Sequence, residues 1–254
     1  MIDSVSPKRR YPAVANPAIS PKPRAGEPDP NSLGYPGAGR HDGSEVGEVE
    51  VRIEVATLRD ARAVLLVEGA SDLVAVQTLA QRRGRDLAGE GVRVLAMGGA
   101  TNIGHYLEQL GPRGSDLRLA GLYDVAEEGF VRRGLERAGL GVAPLAELGF
   151  HVCVRDLEDE LIRALGTDGM QEVLAAEGDL RSFRLFQRQP AQQGRELPAQ
   201  LRRFIGTRSG RKEAYARLLV QALDLERVPR PLDAVLASVA PPSGASPARE
   251  HRTG

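Results

Sequence analysis

The chain has little with which to cross-link itself, to carry a net field or to enter a membrane. One cysteine, Cys153, in 254 residues excludes an internal disulfide framework and fits a reducing compartment. The formal net charge is +0 at pH 7, so no global field draws the chain to nucleic acid, and any basic surface must be local. No run of roughly eighteen apolar residues exists, so no membrane span is expected. The N-terminus lacks an apolar h-region, so no secretory signal is expected either, and a cytoplasmic location follows. Lysine is nearly missing: Lys8, Lys22 and Lys212 stand alone, and every other basic residue is arginine. Genomic base composition accounts for such a bias, but it leaves Lys212 as the only lysine outside the N-terminal tail.

What is present divides the chain into four stretches. Residues 1–57 are rich in Pro, Gly, Ser and charge and show neither helical nor strand period, which predicts a disordered tail. Residues 58–166 alternate short apolar runs with amphipathic stretches. Residues 167–240 lose the strand pattern and read as helices with polar loops. Residues 241–254 are rich in Pro, Ser and Ala and predict a second disordered tail.

Within 58–166 the apolar runs are strands, each followed by a helix. Val64 to Val67 is the first, with a helix from Asp72 to Arg83 carrying Leu73, Val76, Leu79 and Ala80 inward. Ser71 reads as its N-cap. Gly91 to Met97 is the second strand; Gly98 and Gly99 turn it into a helix from about Ile103 to Leu110. Leu117 to Tyr123 is the third, ending on Asp124. A helix from Glu128 to Ala138 follows, with Phe130, Val131 and Leu135 on one face. Gly149 to Val154 is the fourth, running into Asp156-Leu157-Glu158-Asp159-Glu160 at a helix start. Such alternation predicts an α/β fold of the Rossmann-like kind: a parallel sheet of about four strands flanked by helices, with a C-terminal helical extension. In that extension a final helix starts near Gly210, with Ser209 as cap and Tyr215, Leu218, Leu219 and Ala222 on one face. Pro229 and Pro231 are expected to stop any helix beyond it.

The chemistry concentrates at one edge. Parallel sheets bind ligands outside the carboxyl ends of their strands. Three of the four strands deliver acids there: Glu68 and Asp72 after the first, Asp124 after the third, Asp156 and Glu158 after the fourth. A set of hard carboxylates without a matching His/Cys set selects Mg²⁺ or Mn²⁺. Such a set can hold one ion or two about 3.5–4 Å apart, the arrangement used for in-line phosphodiester displacement. The same acids also read as helix N-caps and first-turn charges favoured by the helix dipole. Gly98 and Gly99 offer backbone N–H groups to a phosphate. Between Gln171 and Arg230 twelve basic residues face seven acidic ones, an excess of five, so Arg202, Arg203, Arg208 and Arg211 are candidates for a nucleic-acid backbone. Lys212 falls in the first turn of its helix, where a cation opposes the dipole, which suggests an anionic partner. His105 and His151 lack metal-motif spacing, and Cys153 reads as a small core residue.

Leu66-Val67-Glu68-Gly69-Ala70-Ser71-Asp72 with Gly121-Leu122-Tyr123-Asp124-Val125-Ala126-Glu127-Glu128 resembles a Toprim domain, the catalytic fold of topoisomerases, bacterial primases and OLD-family nucleases. The OLD-like group is the best match within it. Its members share the acid four residues after the Glu, an Asp-Leu-Glu after the fourth strand (Asp156-Leu157-Glu158) and a lysine at the head of a later helix (Lys212). The resemblance implies Mg²⁺-dependent hydrolysis of nucleic acid, most simply DNA. It makes Glu68 a metal ligand or general acid/base. Asp124 would hold a first metal; Asp72, Asp156 and Glu158 would hold a second; Lys212 would stabilise charge on the phosphate. The sequence departs from the family at Ala126, where Toprim domains generally carry the second Asp of Asp-x-Asp. Glu127 or Glu128 could stand in, displaced by a residue or two. A module that binds nucleic acid or a partner protein after losing its second metal, and a primase-like nucleotidyl transferase, are the alternatives. OLD proteins usually join this domain to an ATPase. No Gly-x-x-x-x-Gly-Lys-Ser/Thr occurs in this sequence, so an ATPase partner would be a separate chain.

Overall fold

A computed structural model describes residues 58, 60–207 and 210–241, all within one compact unit spanning Glu50–Gly254. The expected tails, save Pro241, lie outside these residues, as do Arg208 and Ser209.

Five consecutive apolar residues, Ala63–Val67, form β1, and all five are fully buried. A strand buried on both faces needs cover on both, and its side chains alternate between them. Ala63, Leu65 and Val67 belong to one hydrophobic core, Val64 and Leu66 to the other. β1 pairs in parallel with β2 (Val92–Ala96) on one side and β3 (Arg118–Asp124) on the other; β3 pairs in parallel with β4 (Phe150–Cys153). The strand order is β2-β1-β3-β4. Truncating Leu65 or Leu66 to Ala would cost about 2–5 kcal/mol.

Gly121 sits mid-strand in β3 because nothing larger fits. A Cβ there would lie 2.8 Å from the Phe150 ring and 3.0 Å from the Leu66 carbonyl oxygen.

The first core is closed by α1 (Ala70–Arg82) and by the C-terminal helices. The second is closed by α2 (Ile103–Leu110) and α3 (Glu128–Ala138). α4 (Leu157–Ala176) breaks at Gly166, whose φ is 72°. Then come α5 (Leu180–Gln187), α6 (Leu197–Ile205), α7 (Arg211–Ala222) and α8 (Arg230–Ser238). Phe183 and Phe186 each meet Phe204 edge-on between α5 and α6, and α7 packs along α1 and α4. No described helix is long and apolar enough to cross a membrane.

Four local expectations are corrected. Phe130 is 40 % exposed, with Arg133 over its ring; Gly134 and Ala138 complete the inward face of α3 instead. α7 buries Tyr215, Ala216, Leu219 and Val220 rather than Leu218 and Ala222. Pro229 and Pro231 start a helix rather than stop one. Pro229 is the N-cap of α8 and Pro231 lies in its first turn, where a missing N–H costs nothing. Ser71 does not cap α1: the N-cap is Gly69, and Asp72 does the capping from the third helical position.

Candidate metal centre

The strand order places the site. β2 lies to one side of β1 and β3 to the other, so the crossovers leave in opposite directions and open a crevice at the carboxyl ends of β1 and β3. Glu68 follows β1 and Asp124 ends β3.

The backbone of Glu68 is pinned from the neighbouring strand. Gly98 and Gly99, with φ of 71° and 128°, turn the chain sharply after β2. Their N–H groups donate to the Glu68 carbonyl at 3.0 and 3.3 Å. The side chain of Asn102 fastens the turn by donating to the Met97 carbonyl at 2.9 Å. The sequence expectation that Gly98 and Gly99 meet a phosphate is therefore corrected. Their donors are taken up by Glu68, and their work is to hold it at the mouth of β1.

Asp72 lies one turn into α1 and accepts the Gly69 N–H at 2.9 Å. Its pKa is pushed up to about 7. Burial is the main cause, the Gly69 N–H opposes it, and the charges of Glu158 and Glu68 add to it.

After Asp124 the chain makes a single 3-10 turn, Val125–Glu127. That turn carries the side chain of Glu127 back to the N–H of Asp124, at 3.5 Å. One carboxylate oxygen each from Glu68, Asp124 and Glu127 then lie within 4.8 Å of one another, and all three residues are half-buried. Glu127 rather than Glu128 thus joins Glu68 and Asp124, while Glu128 pairs with Arg132 at 2.7 Å. Burial, then the charges of Glu127 and Glu68, push Asp124 up to about 7. Glu127 is raised by burial and by Glu68, with the Asp124 N–H opposing.

Asp156 is the N-cap of α4: its Oδ1 accepts the Asp159 N–H at 2.8 Å. Its Oδ2 is held by the guanidinium of Arg202, whose Nε lies 2.5 Å away. Glu158 is buried, and its Oε1 lies 3.1 Å from Lys212 Nζ. Burial works against the Lys212 charge but is outweighed by Glu158, Asp156 and Asp72, so its pKa is raised. Glu160 closes the end of β4 by accepting the Val154 N–H at 2.9 Å.

Glu68, Asp72, Asp124, Asp156, Glu158 and Lys212 all line a single cleft of about 280 Å³. The capping reading and the clustering reading hold together here, because every helix that starts at this edge starts beside the others.

Arg211 is placed elsewhere than expected. Its guanidinium stacks on Phe204 at 4.3 Å and pairs with Asp179 at 3.5 Å, and its side chain is 9 % exposed. Packing, not a phosphate, holds it. His151 meets Ser238 at 2.8 Å, His105 meets Gln109 at 2.8 Å, and burial raises the Cys153 thiol far out of the thiolate range.

The acidic donors of the cleft are carboxylates, no described histidine lines it, and Cys153, which does, has its thiol held protonated by burial. That chemistry fits a hard divalent cation such as Mg²⁺ or Mn²⁺.

A parallel sheet with such a set at its switch point has the form of the Toprim class. Residues 61–121 match the family model for the overcoming lysogenization defect (OLD) protein-like Toprim domain. Solved structures agree. The C-terminal region of the Burkholderia pseudomallei OLD protein shares 21 % identity, with a TM-score of 0.53 over 70 % of this chain and 97 % of that one. The C-terminal region of the Xanthomonas campestris pv. campestris OLD protein, phased with mercury, shares 26 % identity, with a TM-score of 0.52 over 70 % of this chain and 94 % of that one. The same region phased with platinum gives 24 % and 0.56 over 72 % and 94 %. No curated protein matches. Residues 61–121 are thus similar to an OLD-like Toprim domain, and the fold is similar to that of the C-terminal regions of OLD proteins.

Proposed function

We propose that the chain is a divalent-metal-dependent phosphodiesterase acting on nucleic acid, with DNA as the expected substrate. The observation that carries this reading is the convergence of Glu68, Asp124 and Glu127 to within 4.8 Å. The OLD-like match at residues 61–121 gives it a class of chemistry.

Glu68, Asp124 and Glu127 would hold a first ion; Asp72, Asp156 and Glu158 a second. The metal, Mg²⁺ or Mn²⁺, would supply a Lewis acid at the phosphoryl oxygen and a water acidified enough to attack at neutral pH. The chain's own residues do the rest. Residues 58–166 form the catalytic part, with the Gly98–Gly99 turn fixing Glu68. Residues 167–240 form the extension that brings Lys212 and Arg202 over the cleft, where they bind and orient the phosphate and offset its developing charge. Burial raises Asp72 in the metal-free chain, and holding an ion would require it to give up that proton. An ATPase subunit is the partner that the OLD likeness suggests.

The reading in which Ala126 marks a lapsed site is disfavoured by Glu127, which brings a third carboxylate to Glu68 and Asp124. The test is a Mg²⁺- or Mn²⁺-dependent nuclease assay with Glu68→Gln and Asp124→Asn. Loss of cleavage in both supports the proposal. Cleavage that survives both defeats it.

A further inference from the structure

The carboxylates of the cleft keep different company. Among the described residues, Glu68, Asp124 and Glu127 form no ion pair. Asp156 and Glu158 form one each, with Arg202 and Lys212. The anions are the sheltered partners: the side chains of Asp156 and Glu158 are 14 % and 6 % exposed, those of Arg202 and Lys212 36 % and 50 %. The cations come from the last turn of α6 and the first turn of α7. A second cavity of about 340 Å³ lies against both pairs and adds Arg203 and Thr207 to its walls.

We propose that Arg202 and Lys212 latch Asp156 and Glu158, and that a substrate phosphodiester in the second cavity draws both cations off. The ion held by Asp72, Asp156 and Glu158 then enters with the nucleic acid, whereas the ion on Glu68, Asp124 and Glu127 binds beforehand. This rests on the metal-dependent reading above.

The balance of charge favours that order. Counted with every carboxylate ionised, as metal binding requires, the trio of Glu68, Asp124 and Glu127 has a formal −3, and among the described residues no cation pairs with it. Asp72, Asp156 and Glu158 also total −3, but Arg202 and Lys212 reduce this to −1. An incoming dication would meet positive groups already seated on two of its ligands. A phosphate offers those cations another anion, and a guanidinium fork fits phosphate as well as it fits carboxylate. Linkage makes the effect reciprocal: whatever factor the phosphate adds to the second ion's affinity, that ion adds to the phosphate's.

The test is Mn²⁺ titration of the full chain, with bound ions counted by electron paramagnetic resonance, with and without dimethyl phosphate as a simple phosphodiester probe. The wild type is expected to bind one ion tightly alone, and a second at least tenfold more tightly once dimethyl phosphate is present. The second should show spin coupling to the first. Arg202→Gln is expected to bind two ions without the probe, and Arg202→Lys to return to one. Two ions on the wild type without dimethyl phosphate, or no tightening when it is added, overturns the latch but leaves the metal centre standing. No Mn²⁺ binding at all defeats both. If Arg202→Gln does not fold, the wild-type comparison decides alone.

Discussion

Glu127 returns over one 3-10 turn to Asp124, so that two acids three residues apart share a space with Glu68. An Asp-x-Asp would deliver its second carboxylate from position 126. Here the carboxylate comes from the next residue, on a side chain one methylene longer. The turn supplies the direction and the methylene the reach.

Glu127→Gln should therefore weaken Mn²⁺ binding by roughly 10–100-fold or more, the range seen even for groups one step removed from a metal. Glu128→Gln should leave it unchanged, because that side chain is taken up by Arg132. Calorimetric titration of the two variants side by side checks this. Equal effects would remove Glu127 from the site.

Gly99→Ala should act on the site without touching a ligand. A φ of 128° is open to glycine and strained for alanine, at about 1–3 kcal/mol. Relief of that strain would move the N–H groups that hold the Glu68 carbonyl. Urea denaturation should show the lost stability, and metal titration a weakened first ion. A loss of stability with unaltered metal affinity would mean that the turn does not position Glu68.

Much of this was legible in the sequence because burial on two faces leaves a strong mark. Runs such as Ala63–Val67 are apolar without a break, and acids directly after them have only the sheet's open edge to occupy. The parts that were not legible depend on partners distant in sequence or on local turn geometry. Gly98 and Gly99 read as phosphate donors until Glu68, thirty residues back, is seen to accept them. Arg202 is 46 residues from Asp156, and nothing in either neighbourhood announces the pair. Phe130 obeys the helical period and still faces outward, because Gly134 lets α2 approach so closely that the inward face is small. A Cβ on Gly134 would lie 2.9 Å from Leu107.

Asp72 and Asp124 both titrate near 7 in the folded chain, against an ordinary value of 3.8. From about pH 4 to about pH 7 the folded protein keeps protons that the unfolded chain releases. Stability of the metal-free protein therefore falls as pH rises through that window, and the loss is complete above it. Mg²⁺ should reverse the loss, since it binds the ionised carboxylates. Thermal melts at pH 5.5 and pH 8 are expected to show a Mg²⁺-induced rise in Tm of several degrees at pH 8 and little at pH 5.5. An equal rise at both would contradict the assignment of these two acids.

Lys212→Met should lower nuclease turnover by about 10²–10³-fold, the usual loss when one preorganised charge is removed from a phosphoryl or acyl transition state. Binding of the first metal ion should be unchanged, because Lys212 pairs with Glu158 and not with the Glu68 trio. Single-turnover kinetics together with Mn²⁺ titration separates the two. A parallel fall in both would make Lys212 a structural partner of Glu158 only.

The shared ion itself is the most direct thing to look for. Crystals grown or soaked with Mn²⁺ should give an anomalous peak bounded by the carboxylates of Glu68, Asp124 and Glu127, at about 2.0–2.3 Å from each ligating oxygen. A peak ligated by other residues, or a fully soaked crystal with no peak at this edge of the sheet, would contradict the account.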